Sequence, residues 1–250
     1  MMKRQYLLKA DKADSRDFLF THKGIALPVE VDLRPHDAAA IFDQGYLGSC
    51  TANAICALQS FLDKKNSAIG AFFNYSRLFL YWQERNIEGT IDYDSGAYIR
   101  DGMKVLQQIG CAGESTFPYV EETFRNTPSK AAYDTAQYHK ISSYQRLNNN
   151  TPAQLKESLA SGYPVVMGVE IYQSFESEAV AKNGIVPFPD REKEYSLGGH
   201  AVLAMGYKWI DGTEYIICRN SWGPDWGDKG YFYLPMKFIG YFVSDLWTAR

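Results

Sequence analysis

Residues 44–50, Gln44-Gly45-Tyr46-Leu47-Gly48-Ser49-Cys50, place a cysteine after a glycine-rich turn and at the start of a helical pattern. Ser49 is a suitable N-cap, which predicts Cys50 in the first helical turn. The apolar residues behind this prediction recur at helical spacing, at Ala54, Ile55, Leu58, Phe61 and Leu62. A helix N-terminus favours the thiolate, the form in which cysteine attacks. The stretch therefore indicates a nucleophile, against the alternative of a cysteine that is only buried.

The turn before this cysteine has two further uses. Gly45 and Gly48 allow a tight bend and the close approach of a substrate backbone. Gln44 precedes the cysteine by six residues, so that its side-chain amide could donate to a developing oxyanion. The backbone amide of Cys50 would be the second donor.

A nucleophilic cysteine of this type needs a paired imidazole, oriented by a third group. Of four histidines, His200 opens an apolar strand, and the preceding Gly198 and Gly199 leave room for a ligand beside its ring. Asn220, in the sequence NSWG, follows the next strand and could fix the tautomer of the ring. Trp222 could cover that hydrogen bond and exclude water from it. Taken alone, each feature could be structural: His200 a core histidine, NSWG a turn and Trp222 a core tryptophan. All three together, in this order, favour a catalytic site.

The secondary-structure pattern changes between the two halves of the chain. Helical periodicity predicts helices after Ser49, over 75–85 and over 98–109, the last ended by Gly110. After about residue 138 the pattern predicts mainly strands, together with a short helix over 151–159. The predicted strands are 165–169, a hairpin of 201–207 and 214–218 that turns at Asp211-Gly212, and 231–234. Helices followed by strands predict an α+β fold with a cleft between the halves.

Composition narrows the functional classes. The 250 residues are 46% hydrophobic and 22% charged, as in ordinary globular proteins. A net charge of -3 without a basic run argues against nucleic-acid and membrane partners, and no apolar stretch predicts a transmembrane helix. No CxxC or HExxH pattern predicts a metal, and no cofactor motif is present.

Cysteine usage bears on the compartment. Four cysteines are too few for a disulfide framework, and the N-terminus lacks the apolar core of a signal peptide. We therefore expect a cytoplasmic protein or one exported by a non-signal route.

Three motifs, QGYLGSC, GGHAV and NSWGPDWGDKGYFYLP, resemble those of the papain and cathepsin family of cysteine peptidases. Weaker matches are LPVEVDLR and GESTFPY, so that the resemblance spans about residues 27–247. It implies a peptidase domain over 28–250, with a helical left subdomain at about 44–120 and an antiparallel β-barrel-like right subdomain at about 121–250. The active-site cleft would lie between them.

The resemblance also implies roles for single residues. Cys50 would be the nucleophile of an acyl transfer, His200 its acid and base, Asn220 the orienting group and Gln44 an oxyanion donor. The substrate-binding set that we predict comprises Gly96, Ala97, Gly168, Gly199 and Trp222. In this set Gly96 and Ala97 would present a backbone edge, and Gly168 would lie near the pocket for the second residue before the cleavage site.

The chain departs from the family pattern at three points. Thr51 stands where the family usually has tryptophan, and Leu47 where secreted members have a bridged cysteine. Both features resemble bacterial and viral branches. Residues 1–27 are too few for the usual inhibitory prodomain. We expect an extended segment outside the main fold, with the hypothesis that it is a short pro-segment or plug lying across the cleft, or packs on the surface.

The expected partners are a peptide or protein substrate and a proteinaceous inhibitor, with a monomer as the default. Two other functions remain open at this point. The same residues support a thiol acyltransferase or amidase, because an acyl-thioester can meet an amine instead of water. A non-catalytic binding module on a peptidase scaffold is the third reading.

Overall fold

The computed structural model describes residues 4–21 and 24–250. Its helices are α1 (Cys50–Asn66), α2 (Arg77–Glu88), α3 (Ile99–Gln108), α4 (Lys130–Ala136), α5 (Ala153–Ala160) and α6 (Glu178–Asn183). Its strands are β1 (Val31–Asp32), β2 (Tyr144–Arg146), β3 (Val165–Tyr172), β4 (Ser196–Ile210), β5 (Thr213–Arg219), β6 (Tyr231–Pro235) and β7 (Val243–Ala249). The predicted α+β class is confirmed, with α1–α3 in the first half and the long strands in the second.

Helix α1 is the centre of the molecule. Every residue from Cys50 to Leu62 is buried, because α1 packs against α2 and α3 on one side and β4 on the other. Helix α2 begins after Ser76, whose hydroxyl accepts a hydrogen bond from the backbone N–H of Phe79 at 3.0 Å. This cap places the start of α2 two residues later than the predicted residue 75.

The strands form one antiparallel sheet in the order β2-β7-β3-β4-β5-β6, and β1 pairs with β4. The predicted hairpin joins β4 and β5, and it turns at Asp211 and Gly212, which have φ of 47° and 77°. In β4, His200 pairs with Val169 of β3, and Gly199 pairs with Glu170. The sheet thus carries His200 to the face that α1 covers.

Residues 4–21, which we call the strap, pack against both halves of the domain. Leu7 forms a parallel bridge with Gly199, and Leu19 forms another with Arg146 at the edge of β2. Residues 4–21 thus pair with the predicted peptidase domain through their backbone. Backbone pairing of this kind has no signature in the polar sequence of the segment. His22 and Lys23 lie outside the described residues.

No helix within residues 4–21 and 24–250 is long and apolar enough to cross a membrane. Within the same ranges, no group of three or more metal-ligating side chains converges.

Candidate active site

Cys50 is the first residue of α1 and is fully buried. Ser49 occupies the predicted N-cap position, but its hydroxyl makes no capping hydrogen bond. That hydroxyl instead pairs with the hydroxyl of Tyr119 at 2.6 Å and accepts from Asn53 Nδ2 at 3.0 Å. The start of the nucleophile helix is thus held by side chains from elsewhere in the fold.

Two influences act on the Cys50 thiol. Burial raises its pKa to about 12, although the backbone amides of Ala201, Thr51 and Cys50 itself favour the thiolate. Burial prevails, so that the thiol is neutral at physiological pH in this state. The nearby Ala201 amide also shows that the sulfur faces the start of the apolar part of β4, next to His200.

His200 and Asn220 are joined by the predicted hydrogen bond. His200 Nε2 lies 2.8 Å from Asn220 Oδ1, which also accepts from the backbone N–H of Ser221 at 2.9 Å. An amide oxygen can only accept, so the ring proton lies on Nε2. Among the described residues Nδ1 has no hydrogen-bond partner, and burial lowers the pKa of His200 to about 4. The imidazole is therefore neutral, with Nδ1 ready to accept a proton.

Gln44 is held at both ends of its amide. Its Oε1 accepts from the Ser221 hydroxyl at 2.6 Å, and its Nε2 donates to the carbonyl of Leu47 at 2.9 Å. Its own carbonyl accepts from Tyr119 at 2.8 Å. The primary amide has a second N–H that this bonding leaves free, and its nitrogen faces the loop before Cys50.

Trp222 covers the histidine, as its position in NSWG predicts. The rings of Trp222 and His200 are 5.3 Å apart with an interplanar angle of 32°. From the strap, the Arg4 guanidinium lies 4.5 Å above the Trp222 ring, and the Tyr6 ring lies 6.0 Å from His200. Strap residues thus close the site above these two rings.

Leu7 lies over the turn beside the nucleophile. A Cβ placed on Gly96 would fall 1.9 Å from the carbonyl oxygen of Leu7, and one on Gly48 would fall 2.7 Å from its side chain. Gly96 also has φ of +64°, which favours glycine. The two glycines allow the strap backbone to approach as closely as a substrate backbone would have to.

The rest of the predicted substrate-binding set also contacts the strap. The N–H of Leu8 donates to the carbonyl of Gly199 at 3.1 Å, and the N–H of Lys9 donates to that of Ala97 at 3.2 Å. The Leu8 side chain lies against Gly168, and a Cβ there would be 2.9 Å from it. A cavity of about 340 Å³ continues beside Leu8.

Two features of the site escaped the sequence analysis. The hydroxyl of Thr51 donates to Glu84 Oε2 at 2.7 Å, and burial raises the pKa of Glu84 well above its usual value. Tyr119 joins Ser49 to the Gln44 carbonyl. Both partners lie in other elements, and no local pattern marks a glutamate or tyrosine for such a role.

A family model described as papain family cysteine protease matches residues 27–239. The chain belongs to the papain family of cysteine proteases. It is 38% identical over 263 residues to the uncharacterized peptidase C1-like protein L477 of Acanthamoeba polyphaga mimivirus, covering 99% of this chain and 83% of that protein. It is 30% identical to cysteine proteinase 1 of Entamoeba histolytica, covering 90% of this chain and 69% of that protein.

Among solved structures, xylellain, a cysteine protease from Xylella fastidiosa, superposes with a TM-score of 0.87 at 37% identity. The match covers 100% of this chain and 98% of that one. The papain-family chain is accordingly a cysteine-type peptidase that acts on peptide substrates, as its motifs predict, and viral and bacterial relatives are among its matches.

Proposed function

We propose that this papain-family chain hydrolyses peptide bonds through a thioester on Cys50, and that its strap holds the enzyme inactive until it is displaced. The observation that carries the assignment is the hydrogen bond from His200 Nε2 to Asn220 Oδ1. This bond leaves Nδ1 without a partner among the described residues, and the Cys50 sulfur lies at the backbone amide of Ala201, the residue after His200.

The chemistry follows from these atoms. His200 Nδ1 takes the Cys50 proton as the sulfur attacks the scissile carbonyl carbon. The oxygen of that carbonyl becomes negative and receives hydrogen bonds from the Cys50 backbone N–H and the free N–H of Gln44. When the tetrahedral intermediate collapses, the C–N bond breaks and His200 returns its proton to the leaving amine.

The second half of the reaction repeats these steps with water. His200 removes a proton from water as its oxygen attacks the thioester carbonyl. The C–S bond then breaks, the peptide acid leaves, and His200 returns the proton to the Cys50 sulfur. Helix α1 holds Cys50 and the sheet holds His200 throughout the reaction, so that little reorganisation accompanies each proton transfer.

The inhibitory role of the strap rests on exclusion. Leu7 lies over Gly48 and Gly96, and Leu8 and Lys9 use the carbonyls of Gly199 and Ala97. A substrate cannot occupy the same space, or donate its own N–H groups to these carbonyls, while the strap is in place. The strap thereby acts as a built-in proteinaceous inhibitor.

Hydrolysis of a fluorogenic dipeptidyl-arginine amide under reducing conditions tests both parts. We compare the full chain with Cys50→Ala and with Leu8→Asp, which places a carboxylate in a cavity that Glu170 also lines. Leu8→Asp should be the more active enzyme, and Cys50→Ala should be inactive. A thiol-directed epoxide should block both active chains. Activity that survives in Cys50→Ala would sink the assignment, and equal rates for wild type and Leu8→Asp would sink the inhibitory role.

A further inference from the structure

Beyond the catalytic centre, the strap buries the aspartate Asp11, whose backbone N–H donates to Asp245 Oδ2 at 3.1 Å and whose Oδ1 has no hydrogen-bond partner among the described residues. Asp11 Oδ2 accepts from the indole Nε1 of Trp247 at 2.9 Å and from the backbone N–H of Arg100 at 3.2 Å. The Arg100 guanidinium lies 3.9 Å from Oδ1. An indole N–H, a backbone N–H at the start of α3 and a guanidinium thus converge on one side chain.

A second strap carboxylate binds the same arginine. Asp17 accepts two hydrogen bonds from Arg100, both at 2.8 Å, and one from Arg146 at 3.0 Å. Only 6% of the Asp17 side chain is exposed. Paired bonds to a guanidinium are the geometry in which arginine binds carboxylates and phosphates.

If the strap leaves, the charged groups of the peptidase domain that contact Asp11 and Asp17 lose these two carboxylates. Arg100, Arg146 and Asp245 belong to the peptidase domain, and Arg146 pairs with Asp245 at 2.9 Å. Removal of Asp11 and Asp17 therefore leaves one positive charge in excess among these three groups. It also leaves the Trp247 N–H and the Arg100 backbone N–H without their acceptors, which is costly for partly buried groups.

We propose that this site, the Arg100–Trp247 site, binds an acidic side chain of the peptide substrate once the strap has left. Asp11 follows Leu7 by four residues, or roughly 13 Å of extended chain, so the site lies within reach of a peptide whose carbonyl is at Cys50. It lies on the side of Gly168, which we assign to the acyl portion of the substrate. The inference rests on the proposed function and adds a substrate preference to it.

The neighbouring strap residue Lys9 is positive and pairs with a negative side chain of the domain, so we expect the acidic preference at a single substrate position. Lys9 Nζ pairs with Glu88 Oε2 at 2.6 Å, between the Leu8 position and the Arg100–Trp247 site. A substrate carboxylate one or two residues nearer the scissile bond would meet Glu88. The acidic preference should therefore appear only at the far end of the cleft.

Two readouts test the proposal. Peptides with a single Asp placed three, four or five residues before the scissile bond are compared with the same peptides carrying Asn or Lys. Their kcat/KM is measured on the full chain. Their affinity is measured by fluorescence anisotropy on Cys50→Ser, which needs no hydrolysis, so that failure of the proposed chemistry does not hide the binding result. We expect on the order of tenfold preference for Asp over Asn at one position at pH 8, which exceeds the value of about 7 to which burial and Asp245 raise the pKa of Asp11, and a smaller preference at pH 6.

Variants of Asp17 on the strap and of Arg100 on the domain distinguish substrate recognition from anchoring of the strap. Asp17→Asn should speed hydrolysis of all the peptides and keep the acidic preference, because the site remains intact. Arg100→Gln should also loosen the strap but should abolish the preference, while Arg100→Lys should retain part of it. Lys130→Gln, an exposed substitution on α4, is the control and should change neither quantity.

Three results would overturn the inference. One is the absence of any acidic preference in Asp17→Asn, which would leave the site as an anchor for the strap alone. Another is a preference that persists unchanged in Arg100→Gln. The third is failure of the Asp peptides to bind better than the Asn peptides to Cys50→Ser that also carries Asp17→Asn.

Discussion

The backbone N–H of Leu8 donates a hydrogen bond at 3.1 Å to the carbonyl of Gly199, the residue directly before His200. A carbonyl so close to the proposed acid and base lies where an extended substrate would pair. While Leu8 occupies the Gly199 carbonyl, a substrate cannot pair there, so its access to Cys50 depends on the position of the strap. The strength of the strap's more distant attachments should therefore set the activity of the whole chain.

The first prediction concerns Phe20, an attachment far from the catalytic residues. Phe20 is 7% exposed and packs into the core, and its backbone N–H donates to the carbonyl of Arg146 at 2.8 Å. Phe20→Ala removes apolar burial from the docked strap, a change that costs about 3 kcal/mol or more. We expect kcat/KM of the full chain to rise at least tenfold.

Phe18→Ala is the matched control for Phe20→Ala, because 62% of Phe18 is exposed. It should change kcat/KM by less than about twofold. Equal rates for the two variants would show that docking of the strap does not limit access.

The second prediction concerns the reactivity of Cys50. Burial raises the thiol pKa to about 12, so the closed chain holds a neutral thiol at pH 7. Iodoacetamide should label wild-type Cys50 slowly, with a rate that climbs steeply above pH 9. Leu8→Asp, with the site open to water, should react at least tenfold faster at pH 7. Mass spectrometry of the labelled peptide from pH 5 to 10 gives both rates, and identical profiles would contradict a closed state.

The residues proposed for catalysis could be predicted because, in each motif, the residue type and its sequence neighbours indicate the role. Cys50 follows a glycine turn and begins a helix, His200 begins the predicted apolar part of one hairpin strand, and Asn220 directly follows the other strand. Antiparallel pairing of β4 with β5 then brings the last two together. Sequence spacing and strand geometry were sufficient to predict that His200 and Asn220 lie together.

The contacts that hold the site could not be predicted in the same way. Tyr119 reaches both Ser49 and the Gln44 carbonyl, and the packing of distant segments determines this contact. Strand β4 begins at Ser196, ahead of the predicted residue 201, because pairing with β3 continues through Gly198 and Gly199. Glycines carry no strand propensity, so tertiary pairing alone extends the strand.

The third prediction separates oxyanion binding from nucleophile reactivity. Gln44→Ala removes the free N–H and should lower kcat by about a hundredfold to a thousandfold, with a smaller change in KM. Ser221→Ala removes only the donor that fixes Gln44 Oε1, and it should lower kcat by less than about tenfold. Both are compared in the Leu8→Asp background. Iodoacetamide, which forms no oxyanion, should label Cys50 at similar rates in both, and a parallel loss of labelling in Gln44→Ala would indicate a displaced nucleophile instead.

The last prediction concerns the pH dependence of strap closure. Burial, followed by the charge of Asp245, raises the pKa of Asp11 to about 7, while Arg100 and the Trp247 hydrogen bond act in the opposite direction. An aspartate on a released strap has a pKa of about 3.9. Because the closed state binds the proton more tightly, this contribution to closure is fully present below about pH 4. It is lost as the pH rises through about 7.

Asp11→Asn isolates this effect from the titration of the catalytic pair, because asparagine keeps an acceptor for Trp247 and carries no charge. The ratio of kcat/KM for wild type to that for Asp11→Asn, measured from pH 5 to 8, cancels changes that both enzymes share. We expect the ratio to rise several-fold with pH, since wild type opens as Asp11 ionises against Asp245 and the variant does not. A ratio that stays constant would show that Arg100 holds Asp11 ionised across the whole range, and closure would then depend on the ion pairs alone.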